Sequence, residues 1–243
     1  TGEITDLTES GYTDGNFRWA LDGKAMTWMS DRAGYRSHGS WGAEYDIYAM
    51  FFDGKEFYKF TRDKESDEME KLLAGDKETE KKEKKEEKDS AKVDKKAEKL
   101  VLDLENRADR IIRLTRFSGR MGDHYLAPDG SKLYYMTRLE KTYDLCVLDI
   151  KDNSVSVLAR GLSGAIYPAK DGKSFYVLNG SGITKVDLPS GSRESISFSG
   201  MFNYRPAEER EYIFGHIWKQ VSEKFYDKDI HGIDWEMYRD AYS

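Results

Sequence analysis

The sequence predicts a mainly β fold, part of a β-propeller built from four-stranded antiparallel sheets and followed by a short α-helical segment. Three observations predict it. An Asp-Gly turn recurs in similar surroundings at Asp22-Gly23, Asp129-Gly130 and Asp171-Gly172, each time followed by a short aromatic or β-branched run. The step from Gly130 to Gly172 is 42 positions, within the range of about 40–45 for a four-stranded propeller blade. From Arg205 onward the apolar spacing changes from alternation to a helical period.

The elements follow in order. Asp-Gly suits a tight reversal because both residues tolerate φ > 0. The runs after the turns are Met26–Met29, Lys132–Met136 and Ser174–Leu178, and the next strands are Tyr45–Met50, Tyr143–Leu148 and Gly182–Asp187. Val155–Leu158 and Glu194–Phe198 close the last two units, and Gly180-Ser181-Gly182 reads as a hairpin turn. Gly23 and Gly130 stand 107 positions apart, so the first unit is interrupted. A block at 64–98, about two-thirds charged and without an aromatic residue, accounts for part of the excess. It has too little apolar surface to offset an ordering entropy of about 1–2 kcal/mol per residue, and reads as a solvated insertion. The long segment Arg32–Glu44 and a hairpin at Asp53-Gly54, with Glu56-Phe57-Tyr58, absorb the remainder. After Arg205, Pro206 and the acidic pair Glu208-Glu209 mark a helix start. Phe214, Ile217, Trp218, Val221 and Phe225 then form one stripe of a helix over 206–226, and Asp234 is the N-cap of a second helix. The expected organisation is blade sequence at 1–63, the charged insertion at 64–98, blades at 99–204 and a helical part at 205–243.

Composition narrows the function. Charged residues make up 35% of 243 and mean hydropathy is -0.78, without an apolar run near the roughly 20 residues of a membrane span. Net charge is -6, from 39 basic and 45 acidic residues, which argues against a general nucleic-acid binder. Aromatic residues reach 13%, too many for a disordered chain. The single cysteine, Cys146, excludes an intrachain disulfide and a multi-cysteine metal site, and reads as a buried strand residue. The opening Thr1-Gly2-Glu3 has neither an initiator Met nor a signal-like apolar region, so a processed or excised piece is expected.

No catalytic, cofactor or metal residue is assigned. His38, His124, His216 and His231 show no H-x-x-x-H or H-E-x-x-H spacing, and the sequence contains no nucleophile elbow or phosphate-binding glycine motif. His216 reads as a packing residue beside Trp218. Asp227, Asp229, Gly232 and Asp234 approach calcium-loop offsets, but His231 and Tyr238 occupy positions that need oxygen ligands. A helix–helix connection explains them better. The distinctive segment is Arg32 to Gly42, where Arg32, Tyr35, Arg36 and Trp41 form a candidate peptide-channel loop: two arginines, two aromatics and the glycines between them line a channel mouth and hold a peptide carboxylate or backbone. A long loop packed on its own aromatics is the competing reading.

With Ser30-Asp31-Arg32 and Tyr45-Asp46-Ile47-Tyr48, the Asp-Gly-Lys repeats resemble TolB-type propeller blades. The order of further motifs is more specific: the Lys/Glu-rich insertion, Leu102-Asp103-Leu104-Glu105-Asn106-Arg107, Arg113-Leu114-Thr115, then His216-Ile217-Trp218-Lys219-Gln220-Val221, Lys224-Phe225-Tyr226-Asp227 and His231-Gly232-Ile233-Asp234-Trp235. Over nearly its whole length the chain resembles the tricorn-like serine peptidases, at the passage from their second propeller into the first part of the catalytic core. The resemblance implies blades that guide or gate peptides toward a core whose catalytic residues lie outside these 243 positions. It implies as partners peptide substrates and the remaining blades and core of the parent chain. About three blades fall short of a closed ring, so open edges and homo-oligomer contacts are expected. A cytoplasmic location follows from the resemblance, a periplasmic one from a processed start. The alternatives are a non-catalytic propeller module that binds a protein or peptide and, more remotely, a sugar- or metal-dependent propeller enzyme using channel carboxylates.

Overall fold

Among the residues described by the computed structural model (2, 4–38, 42–70, 72, 100, 102–180 and 182–242), three antiparallel four-stranded sheets follow one another along the chain. They are the blades of a β-propeller. The first holds β1 (Asp14–Ala20), β2 (Ala25–Ser30), β3 (Asp46–Phe51) and β4 (Ile111–Arg113). The second holds β5 (Met121–Leu126), β6 (Lys132–Arg138), β7 (Tyr143–Asp149) and β8 (Ser154–Ala159). The third holds β9 (Ala165–Pro168), β10 (Ser174–Asn179), β11 (Gly182–Asp187) and β12 (Arg193–Ile196). The chain divides into two compact units, Thr1–Ser197 and Phe198–Ser243, and all three blades belong to the first.

The Asp-Gly signals at 22–23, 129–130 and 171–172 each join the first and second strands of a blade. In the second and third blades the turns are alike. Gly130 donates its N–H to Ala127 (2.8 Å) and Gly172 to Ala169 (3.0 Å), while Asp129 and Asp171 each accept from the backbone N–H two residues on. Gly130 and Gly172 have φ of 72° and 66°, conformations that a side chain would strain. Strands β1, β5 and β9, which precede these turns, were absent from the strand assignment made from sequence. Their own patterns are too polar or too short to signal a strand.

The middle blade shows why its strands read as continuous apolar runs. Leu133 and Tyr135 of β6, with Cys146 and Leu148 of β7, pack against Ala25, Ile47, Ala49 and Phe51 of the first blade. Met136 and Leu145 face the other way, onto Ile166, Phe175 and Val177 of the third. With both faces covered, successive residues are all apolar. Phe175 receives Tyr134 and Tyr125 edge-on, at centroid distances of 4.8 and 5.5 Å, contacts worth about 0.5–1.5 kcal/mol each beyond area burial.

The interruption of the first blade lies between β3 and β4, and its start corrects one expectation. Asp53-Gly54 is not a hairpin. The Asp53 carboxylate accepts from the N–H of Lys55 (2.7 Å) and Glu56 (3.4 Å), which makes it the N-cap of helix α1 (Gly54–Thr61). A helix wins here because Phe57 and Phe60, three apart, both reach Phe51, at 5.5 and 4.9 Å. Lys151, from the second blade, donates to the carbonyls of Lys59, Phe60 and Arg62 at 3.0–3.3 Å and so neutralises the helix C-terminus. Residues 64–70 are also helical, whereas most of the remaining charged block lies outside the described residues. The fourth strand of this blade, β4, also escaped the sequence reading, since it is only three residues long and follows the insertion.

Polar groups join the blades where their first strands meet. Asp123 of β5 is 4% exposed. It accepts from Asn16 Nδ2 and Arg18 Nη2 of β1, both at 2.7 Å, and from the backbone N–H of Ile166 in β9 at 2.6 Å. Arg18 also donates to the Ile166 carbonyl at 3.1 Å. Beside it, His124 is fully buried, with Nε2 2.9 Å from Thr27 Oγ1 of the first blade. Thr27 gives its own proton to the Arg18 carbonyl, so the imidazole carries its proton on Nε2 and leaves Nδ1 as a bare acceptor.

The second unit contains α2 (Pro206–Lys224) and α3 (Trp235–Tyr242), close to the limits expected from the apolar stripe. Trp218 and Trp235 stack at 4.0 Å, and Trp235 Nε1 donates to the Trp218 carbonyl at 3.4 Å. Asp234 accepts from the Met237 N–H at 3.1 Å, as an N-cap does.

Two outcomes follow. Asp123→Ala leaves the Arg18 charge and the Ile166 N–H without their acceptor and should lower stability by about 3 kcal/mol, read as a fall in the urea midpoint; an unchanged midpoint refutes the clasp. Burial pushes the His124 pKa down from 6.5 to about 4. The unfolded chain therefore takes up a proton between these values that the fold does not. Stability is full above pH 6.5 and declines toward pH 4, by about 3 kcal/mol from this group. His124→Gln should flatten that slope in denaturation measured between pH 7 and pH 4.

Candidate functional site

The segment after β2 doubles back on itself. Asp31, 3% exposed, accepts the Thr13 N–H at 3.0 Å and pairs with Arg36 Nε at 3.2 Å. Glu44 donates its N–H to the Tyr35 carbonyl (2.8 Å) and Ser37 to that of Gly42 (3.1 Å). A Cβ on Gly34 would lie 1.8 Å from the Glu44 carbonyl oxygen, so glycine lets the two arms approach.

Of the residues singled out in this loop, Arg32 is turned inward. Its guanidinium lies 4.9 Å from the Tyr48 ring centroid, 5.8 Å from Trp28 and 5.9 Å from Tyr12, and Nη2 is 3.7 Å from Asp14. Burial alone would raise the Asp14 carboxyl, but hydrogen bonds from Ser10, Ser30 and Thr8 and the Arg32 charge together hold it below its usual value. Tyr48 is pushed up by burial and by the neighbouring Asp46 charge. Arg36 lies over Tyr12 at 5.4 Å and remains half exposed, and Tyr35 is 69% exposed. Trp41 lies outside the described residues. Within this loop, then, Tyr35 and the outer side of Arg36 face solvent, while Arg32 belongs to the packing of the first blade.

A larger concavity, of about 840 Å3, opens between the outer parts of the first and second blades. Its floor is Tyr135, Cys146 and Leu148, flanked by Val155 and Val157 of β8. Arg116, Arg120 and Arg138 line it, against Glu44 and Glu140. Arg116 is fixed by a 2.6 Å bond from Nε to Asn153 Oδ1. Burial pushes the Cys146 thiol up to about 11, with Asp144 adding to it, so the floor thiol is neutral and unreactive. The sequence reading missed this cleft, because its arginines come from β6 and from the connection between two blades.

Among the described residues, no group of three or more His, Cys, Asp or Glu is placed to hold a metal ion, and no helix is long and apolar enough to cross a membrane. In the second unit, Asp227 is occupied by the N–H groups of Asp229 (3.1 Å) and His231 (3.2 Å), and Tyr226 Oη meets His231 Nε2 at 2.5 Å. His216 stacks on Tyr212 at 6.0 Å.

Arg32→Ala should therefore lower stability by about 1–2 kcal/mol, through lost ring contacts and the stranded Asp14 charge, whereas Tyr35→Ala should stay within about 0.5 kcal/mol of wild type. Chemical denaturation of the two variants checks this, and equal effects would contradict the inward placement of Arg32.

Comparison with known proteins agrees with this architecture. Residues 206–243 match the family model of the Tricorn protease C1 domain. Among solved structures, the crystal structure of the tricorn protease aligns with 97% of this chain and 22% of its own, at a TM-score of 0.62 and 12% identity. TolB from Acinetobacter baumannii covers 82% of this chain and 36% of its own (TM-score 0.46, 16% identity). A puromycin-hydrolyzing peptidase of Mycobacterium tuberculosis covers 78% and 24% (TM-score 0.40, 13% identity). No curated protein matches the sequence significantly. The chain spans about a fifth of the tricorn protease structure it matches. Propeller blades like those of the tricorn protease are thus followed, in sequence, by a stretch that matches the C1 domain model.

Proposed function

We propose that this chain is the blade-bearing part of a tricorn-like serine peptidase, and that its propeller guides or gates peptides on their way to a catalytic core outside these 243 residues. The observation that carries the reading is the C1 match over residues 206–243 directly after three propeller blades. The residues support a division of labour. The one described hydroxyl–imidazole contact in the blade core, Thr27 Oγ1 to His124 Nε2 at 2.9 Å, is sealed from substrate, with the two residues 1% and 0% exposed. His124 is buried and held neutral against Thr27, and Cys146 is buried and neutral. Blades with apolar faces on both sides form a rigid wall, and loops at its rim meet the substrate. In this role Tyr35 and Arg36, among the described residues of the Arg32–Gly42 loop, reach a passing peptide, and Arg32 positions the loop from beneath.

Peptide hydrolysis tests the reading. With fluorogenic peptides, this chain should show no turnover and the full gene product should show serine-peptidase turnover blocked by an active-serine reagent. Tyr35→Ala with Arg36→Ala in the full product should change kcat/KM for long peptides by several-fold, with little effect on the shortest substrates. Hydrolysis by the short chain, or inactivity of the full product toward all peptides, overturns it.

A further inference from the structure

We propose that Tyr226, His231 and Asp227 form a nucleophilic site, at which the Tyr226 phenol takes an acyl group from an activated ester. The inference is independent of the gating role, since all three residues lie in the second unit and none belongs to a blade.

The three side chains stand in series. Tyr226 Oη is 2.5 Å from His231 Nε2, and His231 Nδ1 is 3.3 Å from Asp227 Oδ2. A hydroxyl on a base, with the base oriented by a third group, is the arrangement that activates a nucleophile. The carboxylate is itself fixed. Asp227 Oδ1 accepts the N–H of Asp229 and Oδ2 that of His231, at 3.1 and 3.2 Å. The imidazole is held by Phe225, edge-on at 5.5 Å, and by a left-handed backbone with φ of 56°. That conformation is uncommon outside glycine, and in it the ring meets residues four and five positions earlier.

These contacts decide where the protons lie. A carboxylate oxygen beside Nδ1 attracts an N–H and repels a lone pair, so the neutral ring carries its proton on Nδ1. Nε2 is then a bare acceptor, and the phenol donates to it. Tyr226 is 81% exposed, so an ester reaches Oη directly. Oη adds to the ester carbonyl carbon as its proton passes to Nε2. The carbonyl re-forms, the bond to the leaving oxygen or sulfur breaks with its electron pair, and Nε2–H returns the proton to that atom or to water. An O-acyl tyrosine and a free phenol or thiol result.

The substrate class follows from leaving ability. Aryl esters and thioesters release an anion less basic than the tyrosine phenolate, so the acyl group stays on Oη. A peptide would have to release a far more basic amine, and the adduct expels the phenolate instead. The site is therefore separate from peptide hydrolysis.

The chain holds its own controls. Tyr35, Tyr58, Tyr212 and Tyr242 are 67–71% exposed. None of them hydrogen-bonds to an imidazole among the described residues, and Tyr212 meets His216 only face to face, with centroids 6.0 Å apart.

Acetylation of the whole 243-residue chain by p-nitrophenyl acetate tests the proposal, with each tyrosine followed by peptide mass mapping. Hydroxylamine removes acetyl from tyrosine and leaves it on lysine, which separates Tyr226 from the neighbouring Lys224 and Lys228. Tyr226 should acetylate at least about tenfold faster than the four exposed controls, since a positioned base contributes about 100- to 10,000-fold. His231→Asn, which tolerates the left-handed backbone, should bring Tyr226 down to their rate. The role of Asp227 as a positioning residue is read from the ring-nitrogen chemical shifts of His231. They should report Nδ1–H in the wild type and move toward Nε2–H in Asp227→Asn. Equal acetylation of Tyr226 and the four controls in the wild-type chain overturns the proposal, whatever the variants do. An Nε2–H imidazole in the wild type overturns it too, as does an unchanged Tyr226 rate in folded His231→Asn.

Discussion

The Asp123 carboxylate holds three blades to one another. A propeller blade is a twisted sheet that buries both faces against its neighbours, and the hydrophobic drive behind that burial is non-directional. The hydrogen bonds of a buried charge are directional. Asp123 is reached by Asn16 and Arg18 from the first blade and by the Ile166 N–H from the third, and each loses its partner if a blade shifts by even an ångström or two. Arg18, by donating also to the Ile166 carbonyl, makes the third blade depend on the first although they do not share a sheet. Placing the charge where β1, β5 and β9 converge sets the stagger of the blades, and apolar packing fills in behind it.

A second set of polar anchors works at the far side of the first blade. Asp46 is fully buried and accepts from Thr115 Oγ1 and Ser118 Oγ, each at 2.7 Å, while Arg113 pairs with it at 2.8 Å. These partners all follow the interruption, so Asp46 draws the returning chain back to the blade it left. Asp144, in the same Tyr-Asp context of the second blade, accepts the Gly161 N–H at 2.7 Å. An insertion of many residues is tolerated because closure entropy grows only slowly with loop length, and because both of its ends are fastened: α1 by Lys151 and the return by Asp46.

The same economy governs the arginines. Arg32 is caged by Tyr12, Trp28 and Tyr48, and Arg18 is spent on Asp123. Their charges serve the fold. Arg120 and Arg138 have no such carboxylate partner among the described residues, and they border the cleft of about 840 Å3. The caged arginines show what the chain does with a cation whose task is packing.

Local grammar was legible in the sequence. The Asp-Gly turns are written by residues that accept positive φ and by an Asp side chain that bonds two positions on, and the helix from Pro206 is written by its proline, its acidic first turn and its apolar stripe. Such signals need only neighbours along the chain. So does the passage from blades to the C1 stretch, read from motifs after Arg205. Strands β1 and β5 were not legible, because Asn16, Arg18 and Asp123 are polar residues that become core-compatible only when partners up to 148 positions away arrive, and β9 is only four residues long. Asp53-Gly54 was misread for the same reason: its turn chemistry serves a hairpin or an N-cap equally well, and Phe51 decided by receiving Phe57 and Phe60. Arg32 looked available and is caged, while Arg120 and Arg138 looked ordinary and line a cleft. Sequence determined the local conformations; the tertiary structure decided which charges are spent, since a side chain's electrostatic fate depends on groups that only folding brings within a few ångströms.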